Sequence, residues 1–172
     1  MDAEMKSDEA LIGATARADR QAFRELYERH ADRVYHFALS LVRSDPLAEE
    51  VLQETMLAVW KQANRFRGAS KVTTWMLGIA RNQAYALLRR EARGARTPEA
   101  TQTDPDPSET VEIGVRVQSA MERLSSEHRE ALHLVFYEEM GLAEAAEVLG
   151  IPEGTMKSRL FYARKALSKE LS

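Results

Sequence analysis

Gly141–Leu167 reads GLAEAAEVLGIPEGTMKSRLFYARKAL. A short helix is predicted over Leu142–Leu149 and is stopped by Gly150, since glycine most readily takes the left-handed conformation that closes a helix. Ile151-Pro152-Glu153-Gly154 supplies a tight turn, and a longer helix is predicted over Glu153–Leu171. Short helix, glycine-containing turn and second helix form the helix-turn-helix pattern. At about 100° per residue, Met156, Leu160, Ala163 and Leu167 fall on one narrow stripe, the core face. Ser158, Phe161, Tyr162 and Lys165 lie on the other side, with Lys157 and Arg164 flanking that exposed face and Arg159 on the opposite flank. Two aromatic rings on the solvent side of a basic helix suit contact with base edges and phosphates in a major groove. Lys157 and Ser158 can hydrogen-bond base edges, and Phe161 can meet a thymine methyl. An ordinary amphipathic helix with a solvated charged face has the same periodicity, so spacing alone leaves both readings open.

Both this lobe and the one upstream of it read as helical, predicting an all-α fold. Helices are expected over Asp8–Ala18, Gln21–Val42, Leu47–Asn64, Lys71–Arg93, Glu112–Arg123 and Ser126–Glu138, with Asp45 as an N-cap, Pro46 at the first helical position and Gly94 as a stop. Three of the five prolines, Pro98, Pro105 and Pro107, fall in a stretch almost without large apolar residues. Such a stretch cannot bury a core. Residues 95–111 are therefore expected to be a flexible acidic linker between an N-terminal lobe (1–94) and a C-terminal lobe (112–172).

Charge is unevenly spread. The net charge of the 172 residues is −3, which argues against coating nucleic acid by bulk charge. Yet five bases and one acid lie between Lys71 and Arg93, and five bases and one acid between Met156 and Glu170. Between Thr97 and Glu112 there are five acids and no base. Positive charge thus sits on two separate helices, with negative charge between them. There is no cysteine, which removes a disulfide framework, a thiolate zinc site and a thiol switch. No apolar run is long enough to span a bilayer, and the N-terminus does not read as a secretory signal; the cytoplasm is the expected location. His30 and His36 are six apart and His128 and His133 five apart, which puts neither pair on one helical face for a metal. No phosphate-binding glycine motif occurs. No catalytic residue, metal or cofactor is expected.

Two stretches carry a resemblance to a known family. Leu124-Ser125-x-x-His128-Arg129-x-x-Leu132, the helix-turn-helix and GTMKSRLFYARKAL resemble region 4 of the extracytoplasmic-function sigma factors, a branch of the sigma-70 family. There the lobe binds the promoter −35 element and the β-flap of RNA polymerase. The resemblance assigns −35 contact to Lys157, Ser158, Phe161 and Tyr162, with Arg159 and Arg164 nearby. Asp45-Pro46-Leu47-Ala48-Glu49-Glu50-Val51-Leu52-Gln53-Glu54-Thr55-Met56-Leu57-Ala58-Val59-Trp60-Lys61 is similar to region 2.2. Val51, Thr55, Ala58 and Val59 can turn inward while Glu50, Gln53, Glu54 and Leu57 present a mixed polar and apolar docking surface. The family implies the β′ coiled coil as its partner. Ser70–Asn82, SKVTTWMLGIARN, resembles regions 2.3 and 2.4, which grip the opened −10 strand. Opened strands need cations for the backbone and flat or polar groups for unstacked bases. Projected about the axis, Asn82, Tyr85 and Arg89 share a side away from Met76, Ala80 and Leu87, and Lys71 and Arg81 add charge; these five are the expected −10 contacts, with Asn82 by resemblance the foremost base contact, Tyr85 equally open to packing, and Trp75 in the core.

A sigma factor that binds core RNA polymerase and directs promoter-specific initiation is thus the expected function, in a stress or envelope response under an anti-sigma factor. The acidic linker is expected to shield the basic helices in the isolated chain. Two alternatives stay open on the residues alone. A dimeric helix-turn-helix regulator would shift a palindromic duplex without polymerase. A helical adaptor or enzyme would give no promoter-dependent transcript.

Overall fold

The structure, a computed structural model, describes residues 5–94 and 109–172. Every regular element among them is helical. The linker assignment falls mostly on 95–108, outside the described residues.

The N-terminal lobe comprises α1 (Asp8–Ala16), α2 (Arg20–Val42), α3 (Asp45–Gln62) and α4 (Val72–Arg93), with a single 3₁₀ turn at Ala63–Arg65. Short polar side chains start the first two helices, satisfying amides that have no partner within the helix. Ser7 accepts from the Ala10 amide, and Asp19 from those of Gln21 and Ala22. Leu11, Leu26, Phe37, Val51, Val59, Met76 and Leu77 fill the core. The inward residues expected on α3, namely Val51, Thr55, Ala58 and Val59, are all buried.

Asp45 departs from its expected role as a cap. Ser44 holds the cap position, makes no capping hydrogen bond, and leaves Asp45 inside the first turn. The Asp45 carboxylate instead accepts from the Tyr35 hydroxyl on α2. That hydrogen bond, reinforced by burial and the carboxylate charge, raises the Tyr35 pKa to about 12. A tyrosine raised above its unfolded value of about 10 contributes stability that is fully present below pH 10 and lost as pH rises through about 12. Tyr35→Phe is therefore expected to remove that alkaline step from a stability-versus-pH curve while leaving neutral-pH helicity intact, as circular dichroism would read.

The C-terminal lobe comprises α5 (Glu109–Glu122), α6 (Ser126–Leu132), α7 (Leu142–Leu149) and α8 (Glu153–Leu171). Helix α5 begins three residues before its expected start, taking Glu109–Val111 out of the linker. The composition of Glu109–Glu112, acid-rich and poor in large apolar residues, reads as linker. The expected single helix over Ser126–Glu138 changes at His133–Tyr137 into a π-helical turn, a wider winding that often marks functional segments. Ser125 caps α6 through the His128 amide. Gly150 ends α7 at φ 65°, and the Ile151 amide reaches back to the Ala146 carbonyl at 3.0 Å, the six-to-one bond of a glycine-terminated helix.

The two lobes are packed together. Leu134, Met140, Ala145, Val148, Leu149 and Met156 from the C-terminal lobe belong to the same buried cluster as Leu26, Phe37, Met76 and Leu77. A smaller cluster of Leu124, Leu132, Leu160 and Ala163 holds the C-terminal lobe to itself. Helix α7 lies against α4, and α6 with its π-turn lies against α2. No described helix is long and apolar enough to cross a membrane.

Candidate polymerase and promoter interfaces

Helix α8 is set by the turn before it, whose left-handed Gly150 lets α7 end and the chain re-enter at a new angle. Met156, Leu160 and Ala163 bury one side. Lys157, Ser158 and Arg164 are exposed, as are Phe161 at 61% and Tyr162 at 58%. Hydration of two large rings is unfavourable unless something covers them, so this face has the character of a contact surface. Arg159 is placed differently. It is turned toward the body of the protein, with Nη1 3.9 Å from Glu130 Oε1, and so stands apart from the other five predicted −35 residues. Arg164 lies over the Phe136 ring at 4.9 Å, within reach of its charge for a cation–π contact.

On α4, Met76, Ala80 and Leu87 face the N-terminal core, as the projection predicts. The opposite side is shared out. Asn82 and Arg89 are exposed, whereas Arg81 and Tyr85 are partly buried beneath the C-terminal lobe. Arg81 donates to both oxygens of Glu130, from Nε at 3.0 Å and from Nη2 at 3.2 Å, and the Tyr85 hydroxyl donates to Oε2 at 3.0 Å. Arg81 also sits 4.8 Å from the Tyr85 ring centroid. Burial lowers the Arg81 pKa, but the hydrogen bond and charge of Glu130 outweigh it and hold the guanidinium above its usual value. The Tyr85 hydroxyl is raised by burial and by the same carboxylate, against an opposing hydrogen bond with Ser126 and the Arg81 charge. Lys71, just before α4, pairs with Glu144 at 3.0 Å. Trp75, expected in the core, is half-buried at its edge and packs against Phe66 at 5.3 Å between ring centroids. A cleft of about 520 Å³ opens between Trp75, Gly78 and Asn82 on α4 and Glu147–Gly150 of the helix-turn-helix.

Helix α3 presents Glu50, Gln53, Glu54 and Leu57 together. Their spacing of three, four and seven puts them on one solvent-facing ridge, where Leu57 is 44% exposed. An apolar groove of about 670 Å³ runs along the C-terminal lobe between α5 and α8, lined by Val117, Met121, Leu132, Phe136, Leu167 and Leu171.

Sequence reasoning missed the residues that join the lobes. Glu130 is fully buried, Glu138 has a side chain only 3% exposed, and Arg129 donates to the Ser40 carbonyl across the junction at 3.1 Å. It also missed the groove, although Phe136 and Tyr137 lay in sequence as consecutive aromatics. The scattered histidines are partly gathered by aromatic packing: His36 and His133 both lie against Tyr137. Among the described residues no group of three potential metal ligands comes together.

Comparison with known proteins gives the family. Residues 26–94 match sigma-70 region 2, and residues 114–167 match sigma-70 region 4. The chain is 34% identical to the ECF RNA polymerase sigma factor SigM of Mycobacterium tuberculosis H37Rv, over 96% of this chain and 85% of that protein. It is 32% identical to the ECF sigma factor SigM of Bacillus subtilis strain 168, over 83% and 91%. Two solved structures are similar across both lobes. One is the sigma factor RpoE in complex with the anti-sigma factor NepR from Bartonella quintana, with TM-score 0.75, 26% identity, and 87% and 96% of the two chains covered. The other is CnrH in complex with the cytosolic domain of CnrY, with TM-score 0.74, 26% identity, and 96% and 97% covered. The likeness therefore extends to how the lobes are set against each other. A stand-alone dimeric regulator does not account for a region 2 match joined to a region 4 match. The two matched regions are parts of one initiation factor rather than of an enzyme, and the chain belongs to the extracytoplasmic-function sigma factors of the sigma-70 family.

Proposed function

We propose that this sigma factor acts in the cytoplasm and divides its work among the four surfaces described above. The α3 ridge of Glu50, Gln53, Glu54 and Leu57 docks on the β′ coiled coil of core polymerase, and the apolar groove beside α8 takes the β-flap. Lys157, Ser158, Phe161, Tyr162 and Arg164 read the −35 element in the major groove. Arg159 joins them only after turning from Glu130. Lys71, Arg81, Asn82, Tyr85 and Arg89 hold the opened −10 strand, with the cations on phosphate and Asn82 on a base edge. An anti-sigma factor restrains the chain until a stress or envelope signal removes it, in keeping with the like-folded RpoE and CnrH, which are seen in complexes with NepR and CnrY.

One observation carries the reading: two exposed aromatic rings, Phe161 and Tyr162, stand on the solvent face of a basic helix that follows a helix-turn-helix turn. Run-off transcription with purified core polymerase on genomic fragments tests it. A transcript that starts only when the chain is added is the expected result, and no added transcript on any fragment contradicts it. Glu54→Ala with Leu57→Ala should weaken holoenzyme assembly by about fivefold or more, the loss of roughly 1 kcal/mol or more typical of a central contact. Unchanged affinity for core removes the ridge from the docking surface.

A further inference from the structure

We propose that Phe136 is a positioning residue for −35 binding: its ring holds the Arg164 guanidinium at the edge of the DNA face of α8, ordered in advance for a phosphate. The inference rests on the proposed −35 role of Arg164 and names the group that prepares it. Phe136 comes from the π-helical turn His133–Tyr137, outside the helix-turn-helix. Burial does not account for where its ring stands. His133 and Leu134 of the same turn are buried, and Tyr137 stacks on His133 at 4.6 Å between centroids. Phe136 is 56% exposed, and a phenyl left so far in water gains little from the hydrophobic effect. What it does hold is the Arg164 guanidinium, 4.9 Å from its centroid, close enough for the negative face of the ring to attract a cation.

Position along α8 gives the contact its use. At about 100° per residue, Arg164 falls between Phe161 on the DNA face and Leu167 and Leu171, which line the apolar groove. Lys157, Phe161 and Arg164 follow one another at spacings of four and three, so they form one edge of that face. The two arginines of α8 are held in different ways. Arg159 is turned to the Glu130 carboxylate, which takes up its donors. Arg164 has neither an ion pair nor a hydrogen bond among the described residues. Stacking occupies the flat face of a guanidinium and leaves its N–H groups, which point outward in the plane, unengaged. The ring thus fixes the plane of Arg164 while sparing its donors, and those donors are what phosphate oxygens accept, often two at a time. A carboxylate in place of Phe136 would hold Arg164 as well, but it would compete with the DNA. An aromatic ring does not.

Reconstituted holoenzyme, purified from free chain and titrated with a fluorescein-labelled −35 duplex from a promoter found by run-off transcription, carries the test. Four proteins make the cycle: the parent, Phe136→Leu, Arg164→Ala and the double variant. Phe136→Leu keeps the groove wall apolar but removes the ring. It should weaken binding by roughly 2- to 12-fold, the ordering cost of about 0.5–1.5 kcal/mol for one flexible side chain converted at 1.4 kcal/mol per decade. The loss should be the same on matched and mutated −35 sequences, because a phosphate contact carries no sequence. Arg164→Ala should also flatten the dependence of log affinity on log salt by about 0.9, the release of one phosphate. Adding Phe136→Leu to Arg164→Ala should cost nothing more, and Phe136→Tyr, which keeps the ring, should rescue the affinity that leucine loses. A ring that only propped α8 or seated a partner in the groove would cost as much with Arg164 absent as with it present. Equal losses on the two backgrounds therefore overturn the proposal. So do tighter binding by Phe136→Leu, which would mean that the ring withholds Arg164 from DNA, and a failure of tyrosine to rescue. An unchanged salt slope in Arg164→Ala removes Arg164 from the phosphates and takes the inference with it. A flattened slope beside a silent Phe136→Leu overturns the inference alone and leaves the −35 reading standing.

Discussion

Glu130→Ala is expected to lower the melting midpoint by roughly 6–20 °C. Glu130 is fully buried and takes three hydrogen bonds, two from Arg81 and one from Tyr85. Its removal strands the partly buried Arg81 guanidinium and the Tyr85 hydroxyl. Breaking a buried pair by deleting one partner costs about 3–5 kcal/mol, and 1 kcal/mol moves the midpoint of a chain this size by roughly 2–4 °C. The effect should be strongly non-additive. Arg81→Leu with Glu130→Leu removes both charges together, so the double variant should lose less than the sum of the single variants. Differential scanning calorimetry of the four proteins in that cycle reads the coupling directly. Simple additivity would mean that the Arg81–Glu130 pair is incidental to stability.

Phe161→Ala should reduce preference for the cognate −35 element by roughly 5- to 150-fold while leaving thermal stability within about 0.5 kcal/mol. The first figure is the 1–3 kcal/mol of a good base contact converted at 1.4 kcal/mol per decade. The second follows from position: the ring is 61% exposed and meets the Tyr162 ring edge-on at 5.4 Å between centroids, and surface substitutions away from buried features change stability little. Competition between matched and mutated −35 duplexes for holoenzyme measures the preference. An equal loss on every sequence would place Phe161 against the backbone rather than a base. Ser158→Ala should act in the same direction, since its hydroxyl makes only a long 3.3 Å bond to the Gly154 carbonyl of its own helix and is free to reorient toward a base.

The features legible in the sequence are those fixed by local period. Stripes at three and four residues placed Met156, Leu160 and Ala163 inward and Phe161 and Tyr162 outward, and turned Leu57 to solvent on α3. Gly150 announced the end of α7 because few other residues tolerate its backbone angle. The junction between the lobes was not legible, for a reason that is equally physical. Glu130 and Arg81 are 49 residues apart, and a glutamate on a helix reads as solvated until the helix that covers it is known. Glu138 and Arg33 present the same difficulty. The misreading of Asp45 is of another kind. A carboxylate before a proline-started helix fits a cap by every local rule, and only the Tyr35 hydroxyl arriving from α2 gives it different work. The π-turn at His133–Tyr137 likewise has no local marker. There the chain meets α2, with the His133 ring 5.5 Å from that of Phe37.

Titration of core RNA polymerase into the fluorescently labelled chain at low ionic strength is the most direct measurement of the central claim. The account predicts saturable binding that Leu57→Ala weakens and Phe161→Ala leaves unchanged. A chain that shows no association with core, even while α8 still binds naked duplex, would contradict it.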